Sequence, residues 1–484
     1  VVSNAGSSAI HRRTRDTIAT FVAVVALCWG CSGLASDAVA GLAGELEARA
    51  VAAYGSGTYP GLVVAAYRGG QPILRKGWGY ADLEHKTPMT PETVMYVGSI
   101  TKPFTGLAIH QLLRHGKLSL DDTVGKLLPD FQGPAGAVTV VQLLTHTGGV
   151  PEYVVGPVAQ DFRPYSREDV LALFASKPLD FKPGTAWRYT NSGTYLLGLI
   201  IEKVSGKSYA DYITTEIAEP LGLKSTSFAD ESRLVPGRAR GYLPSPAGFR
   251  NAARYDPLLP FSAGALLSTA DDLHVFARIA YGHSASGSIG PEPRSQLLAP
   301  VQLTDGTQPF YRLGSVAVVD FHGRTKVAHA GLTSGFTSFL THYPDDDVTI
   351  VVLSNGTGVT PHPAHLEAEL ARLILGIPAP DVLDLPLDGE TAKGFAGSFS
   401  IAPVHFYGTS GFGFVVRDGR LHFQFGAADP AAPAIPLKFQ GDDTFVSTMD
   451  SEHVFRFTRK EGVVTGLELS FYNQPFRGTR ERAK

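Results

Sequence analysis

The chain has 484 residues, 44% of them hydrophobic and 18% charged, with a formal net charge of −3. That is a globular balance, long enough for two or three bodies and a large buried core. It offers no basic surplus for nucleic acid or an anionic membrane surface, and it contains no internal repeat or low-complexity tract.

The N-terminus reads as an export signal. Arg12, Arg13 and Arg15 precede an apolar run from Thr17 to Trp29, then small residues through Ala40, with Ala38-Val39-Ala40 as the expected cleavage site. The run is too short for a stable membrane span, so residues 1–40 are expected to be removed and the protein to be periplasmic or secreted. Cys28 and Cys31 both fall inside this segment. A lipid anchor at Cys31 is the lesser alternative, because Cys28-Trp29-Gly30 departs from the residues that usually precede one. Without the segment the chain has no disulfide, no thiol nucleophile and no thiolate metal site.

Gly41 to Ala53 has helical composition, and Leu62–Tyr67 and Ile73–Tyr80 alternate as strands around the turn Arg68-Gly69-Gly70-Gln71. Thr93 to Val97 leads into a helix beginning near Ser99, whose apolar face is Phe104, Leu107, Ala108 and Leu112 with Gln111. From Leu118 to about Tyr281 the pattern is mostly helical. A strong amphipathic helix carries Leu196, Leu199, Ile200 and Val204 and stops at Gly206. His146, in Thr145-His146-Thr147-Gly148-Gly149, reads as a hydrogen-bonded structural histidine.

Strands return after Pro309: Leu313–Val319, Lys326–His329, and a hairpin of Phe336–Tyr343 with Val348–Leu353 around three aspartates. A helix from about Ala364 to Leu375 follows. The order of strands, helical insert and strands predicts an α+β body with one antiparallel sheet assembled from both ends of residues 41–376. Residues 377–384 read as a linker. Residues 385–484 alternate as about eight strands, with hairpin turns at Asp418-Gly419 and Glu461-Gly462, and predict an all-β barrel.

Chemistry is concentrated at Ser99-Ile100-Thr101-Lys102. Residues i and i+3 share a helical face, so the Lys102 amine can approach the Ser99 hydroxyl. A helix N-terminus disfavours the ammonium form, which biases the lysine towards an amine able to take the serine's proton. A serine three residues before a lysine is common by chance, and usually means a helix cap beside a solvated lysine. Two further pieces change this: Tyr189-Thr190-Asn191, just before a helix, and His329-Ala330-Gly331 on a strand.

The ordered trio resembles the serine β-lactamase and DD-peptidase superfamily, in the branch of class C β-lactamases, D-Ala-D-Ala carboxypeptidases, D-aminopeptidases and esterases. The resemblance covers about residues 42–376, and the tail beyond 385 resembles the lipocalin-like barrels often appended to such hydrolases. It implies a β-lactamase/DD-peptidase-like sheet flanked by helices with a helical lobe, and an acyl-enzyme formed on Ser99. Lys102 and Tyr189 would handle protons, Asn191 would hold the acyl side, and His329, Ala330 and Gly331 would line the substrate. The backbone N–H groups of Ser99 and Leu332 would form the oxyanion hole. His329 departs from the Lys-Thr-Gly of class C β-lactamases, which favours a D-peptidase or esterase over a β-lactamase. It also implies a titratable positive charge at that position.

No cofactor is expected. His362, His365 and Glu369 have metal-like spacing, but prolines flank the first, and a surface role is the expectation. No Gly-x-Ser-x-Gly elbow is present. The expected partner is a small-molecule or peptide substrate, including peptidoglycan-derived peptides. The reading of another class is a catalytically silent cell-envelope binding protein. Oligomeric state is not legible.

Overall fold

The computed structural model describes residues 40–282, 293–401, 404–405, 411–430, 434–449, 451–471 and 474–481. The expected export segment, apart from Ala40, lies outside the described residues, as do Cys28 and Cys31. Among the described residues no helix is long and apolar enough to cross a membrane.

A helix over residues 40–56 (α1) precedes strands Gly61–Arg68 (β1), Gln71–Asp82 (β2) and Thr87–Pro88 (β3). Helix Thr101–Arg114 (α2) follows a 3₁₀ turn at Gly98–Ile100. The lobe carries the short strand Trp187–Arg188 (β4) and helices Asn191–Ser205 (α3) and Ala270–Tyr281 (α4). Strands Tyr311–Arg312 (β5), Val316–Phe321 (β6), Arg324–Thr333 (β7), Phe336–Tyr343 (β8) and Val348–Ser354 (β9) lead to helix Pro363–Leu375 (α5).

These strands form one eight-stranded sheet in the order β5-β6-β7-β8-β9-β1-β2-β3, so both ends of the body contribute, as expected. The alternation of β1 explains the layering. Leu62, Val64 and Ala66 pack with Leu46 and Ala50 of α1 and Leu366, Leu370 and Ile374 of α5. Val63, Ala65 and Tyr67 point the other way, into a larger core with α2, α3 and α4. Helix α2 is buried from Thr101 to Leu112, so it is a central helix enclosed all round and not the one-faced helix its pattern predicts.

Two expectations need correction. The lobe is less helical than predicted: it includes the hairpin Tyr242–Ser245 with Gly248–Asn251, and a small sheet of Met95–Tyr96, Leu266–Ser268 and Ser227–Phe228. These strands are only two to four residues long, too short for a period-2 pattern to register. The expected strand Leu313–Val319 is broken, because Ser315 takes a φ of +51° and β5 turns back on β6 there. Helix α2 sets the position of that turn, since a Cβ on Gly106 would lie 2.6 Å from the Gly314 carbonyl oxygen.

The C-terminal residues form a closed barrel of eight antiparallel strands between Gly397 and Arg480. Its interior is filled by phenylalanines, among them Phe399, Phe412, Phe414, Phe423, Phe445, Phe455 and Phe457. Among the described residues, several contacts seat it on the larger body. Strand Val404–His405 pairs in parallel with β4, Phe476 packs edge-on to Phe310 with centroids 6.0 Å apart, and Glu452 forms a buried ion pair with Arg372 of α5.

Candidate active site

Ser99 sits in the 3₁₀ turn and Lys102 in the first turn of α2, so three residues of local chain bring the two together. The turn is pinned against β7. Gly98 has a φ of +52°, and a Cβ there would lie 2.8 Å from the Leu332 nitrogen. A Cβ on Gly331 would lie 2.0 Å from the Val97 carbonyl oxygen, so only glycine lets the two segments run side by side. Ser338 of β8 donates to that same Val97 oxygen at 2.9 Å. Ala330 and Gly331 thus line the strand beside Ser99. The Leu332 backbone lies against Gly98, and its side chain is 63% exposed.

The Lys102 amine is fully buried and has three hydrogen-bond partners: Ser99 Oγ at 3.2 Å, Asn191 Oδ1 at 2.7 Å and the Ala263 carbonyl at 2.9 Å. It also lies 4.7 Å from the centroid of the Tyr189 ring. Burial lowers its pKa to about 7, and the nearby Glu152 carboxylate opposes that shift. Burial, more than the helix end, therefore makes this lysine a usable base. The neutral amine can donate to Asn191 and Ala263 and turn its lone pair to the Ser99 hydroxyl.

Asn191 opens α3. Thr190 caps the helix by accepting from the Ser192 N–H, and Gly206 ends it in the left-handed conformation. The sequence reading missed the partner of Asn191. Glu152 accepts from the Asn191 backbone N–H at 2.5 Å and from its Nδ2 at 3.3 Å, and from the Val154 N–H at 2.7 Å. This carboxylate stands at a helix N-terminus, where negative charge is favoured, and it turns the Asn191 carboxamide oxygen to Lys102. A sequence signal existed: Glu152 lies within six residues of His146, on the loop whose Pro151 carbonyl accepts from Ser192 Oγ.

Glu152→Gln is expected to lower kcat/KM about 10-fold and to move its acid limb to lower pH, because the charge that raises the Lys102 pKa is gone. A pH profile of ester hydrolysis checks this. A purely structural role for Glu152 would lower the rate without moving the limb.

Tyr189 lies between Lys102 and two imidazoles, with ring centroids 4.6 Å from His146 and 6.4 Å from His329. His146 is buried at a φ of +58°, and its Nδ1 accepts from the Thr190 N–H at 3.4 Å. Among the described residues its buried Nε2 has no hydrogen-bond partner. Burial and the nearby Lys102 hold its pKa well below the usual range.

His329 differs from expectation. Its Nδ1 faces the Ala330 carbonyl at 2.6 Å, and its Nε2 bonds the hydroxyl of Tyr311, which the sequence reading did not single out. The carbonyl can only accept, so Nδ1 carries the proton and Tyr311 donates to Nε2. Burial and Lys102 push the pKa down to about 3, so this titratable group is a neutral imidazole at neutral pH.

His362 caps α5 by accepting from the Ala364 N–H, and His365 pairs with Glu369 at 3.7 Å. Among the described residues the closely grouped set of acidic and histidine side chains is Asp82, Glu84 and His85, and Arg240 pairs with Asp82 at 3.2 Å and with Glu84 at 2.7 Å.

A family model described as Beta-lactamase matches residues 42–374. Penicillin-binding protein 4* of Bacillus subtilis (strain 168) is 30% identical over 348 residues, covering 68% of this chain and 75% of its own length. The octameric penicillin-binding protein homologue from Pyrococcus abyssi superposes with a TM-score of 0.63 at 27% identity, over 90% of this chain and 99% of that one. A D-stereospecific amidohydrolase from Streptomyces sp. gives 0.55 at 25% identity, over 67% and 96%. The chain belongs to the β-lactamase family, within the serine β-lactamase and DD-peptidase superfamily of hydrolases.

Proposed function

We propose that this protein is an exported serine hydrolase that forms an acyl-enzyme on Ser99 and cleaves an amide or ester, with D-amino-acid peptides and small esters as the substrate class. The observation that carries the reading is the buried Lys102 amine, with a pKa near 7, set 3.2 Å from Ser99 Oγ. Ser99 Oγ bonds to the carbonyl carbon and its proton passes to Lys102 Nζ. The scissile bond breaks as the leaving group takes a proton relayed from Lys102 through the Tyr189 phenol. Water then attacks the acyl carbonyl and frees Ser99. Asn191 keeps Lys102 in place, and its second Nδ2 hydrogen is left for the acyl side of the substrate. The amidohydrolase among the structural relatives favours an amide or peptide, and export agrees with the residue pattern of 1–40.

Purified protein treated with a fluorophosphonate or a fluorescent penicillin should gain one adduct by intact mass, and Ser99→Ala should gain none. No Ser99-dependent adduct from either reagent would overturn the reading in favour of a silent envelope binding protein. Fast turnover of nitrocefin with none of D-peptides or esters would replace it with a β-lactamase.

A further inference from the structure

Behind the Lys102 amine lies a turn with a strained backbone. Residues Phe261–Gly264 form a single helical turn, and Phe261 enters it at a φ of +39°. A bulky side chain rarely takes that conformation, and keeps it only where the surroundings impose it. Here the ring is buried, with its centroid 5.0 Å from those of both Tyr195 and Tyr209 and the Arg167 guanidinium 5.1 Å away. Two residues further on, the Ala263 carbonyl accepts from Lys102 Nζ at 2.9 Å.

The turn is tied to both helices that carry the site. Thr105 of α2 sends its hydroxyl proton to the nearer of two carbonyls, Ser262 at 2.7 Å against Thr101 at 3.4 Å. Its oxygen then accepts from the Tyr209 hydroxyl at 2.7 Å. Ser262 Oγ donates at 2.8 Å to the carbonyl of Thr194, which lies one turn past Asn191 on α3. Downstream, the Leu266 N–H donates to Thr101 Oγ1 at 3.1 Å. Thr105, Ser262 and Thr194 are all buried, so solvent does not replace a lost bond among them.

These ties bear on Lys102 because a neutral amine has a single lone pair. With its two N–H groups committed to Asn191 Oδ1 and the Ala263 carbonyl, the lone pair is left for Ser99 Oγ. Without the Ala263 acceptor the amine can rotate and offer an N–H to the serine instead.

Building on the acyl-enzyme reading, we infer that Thr105, Ser262 and Phe261 are positioning residues, which together hold the Ala263 carbonyl as the fixed acceptor that aims the Lys102 lone pair at Ser99. The same carbonyl binds the ammonium more strongly than the amine, because a charged donor makes the stronger hydrogen bond. Its withdrawal should therefore slow acylation and also let Lys102 lose its proton at lower pH. The titratable groups facing Lys102 are Glu152, Tyr189, His146 and His329, all on other segments. Neither Thr105 nor the turn carries an ionisable side chain, so a change there leaves those groups in place.

Thr105→Val keeps the shape and removes the hydroxyl, and Thr105→Ser returns it. In stopped-flow acylation by p-nitrophenyl acetate, Thr105→Val should be slower on its plateau by at least about 10-fold, with its limb about 0.5–1 pH unit lower. Thr105→Ser should restore rate and limb together. A merely structural role would lower the rate and leave the limb in place. A folded Thr105→Val with an unmoved limb would therefore overturn the inference, while Ser99-dependent acylation of the wild type keeps the acyl-enzyme reading intact. Where Thr105→Val does not fold, Ser262→Ala is read by the same two criteria. Acylation that survives Ser99→Ala, or no acylation of the wild type, would overturn that reading and this inference with it.

Discussion

Acylation of Ser99 should rise with pH along a single limb centred near 7, and Lys102→Met should abolish that limb and cut the rate roughly 10²–10⁴-fold. The direction follows from which form is active. Below the midpoint Lys102 is an ammonium, donating to Ser99, Asn191 and Ala263 and unable to accept a proton. Above it the lone pair becomes available to the serine. Burial has brought the midpoint down from 10.5 into the working range, so the site gains a base at neutral pH without a histidine at Ser99. Stopped-flow acylation by a chromogenic ester, with the adduct confirmed by mass, separates this from a Tyr189 mechanism. If Tyr189 were the base, Lys102→Met would keep a pH limb, and Tyr189→Phe would be the variant that removes it.

The parts of this arrangement that were legible in the sequence are those set by local chain. The spacing of Ser99 and Lys102, the stop of α3 at Gly206, and the hairpin turns of the barrel need only a few consecutive residues to specify them. The groups that tune the site come from distant segments. Glu152 reaches Asn191 across 39 positions, and Ala263 reaches Lys102 across 161. No periodicity encodes such contacts. His329 shows the same limit from the other side: its place on a strand could be read, but its charge is set by burial and by Tyr311, 18 residues earlier on a neighbouring part of the sheet. The lobe was over-read as helix because its short strands are held by tertiary pairing, as Leu267 is between Tyr96 and Ser227.

The sheet that carries His329 to Leu332 depends on a second buried lysine, and its loss should have the largest effect on stability. Lys326 of β7 and Glu367 of α5 form an ion pair whose side chains are both 0% exposed. The glutamate also accepts from Thr341 Oγ1 and the Tyr343 hydroxyl, each at 2.8 Å. The ammonium lies over the rings of Phe321 and Phe339 at 4.9 and 5.5 Å. Glu367→Leu removes the carboxylate and leaves a desolvated ammonium and two hydroxyls facing an alkyl chain, at a cost of about 3–5 kcal/mol in urea unfolding. Lys326→Met alone should cost a similar amount, since it leaves the carboxylate in the same low-dielectric layer. The double variant should recover the part of the loss that comes from the unpaired ion, because an apolar pair leaves no buried charge, while the Thr341 and Tyr343 hydroxyls still lose the Glu367 acceptor. Strict additivity of the two single effects would show that the ions contribute separately, and that the α5–β7 contact does not rest on their pairing. In each single variant acylation of Ser99 should fall along with stability, because β7 holds the Ser99 turn through Gly331 and Leu332.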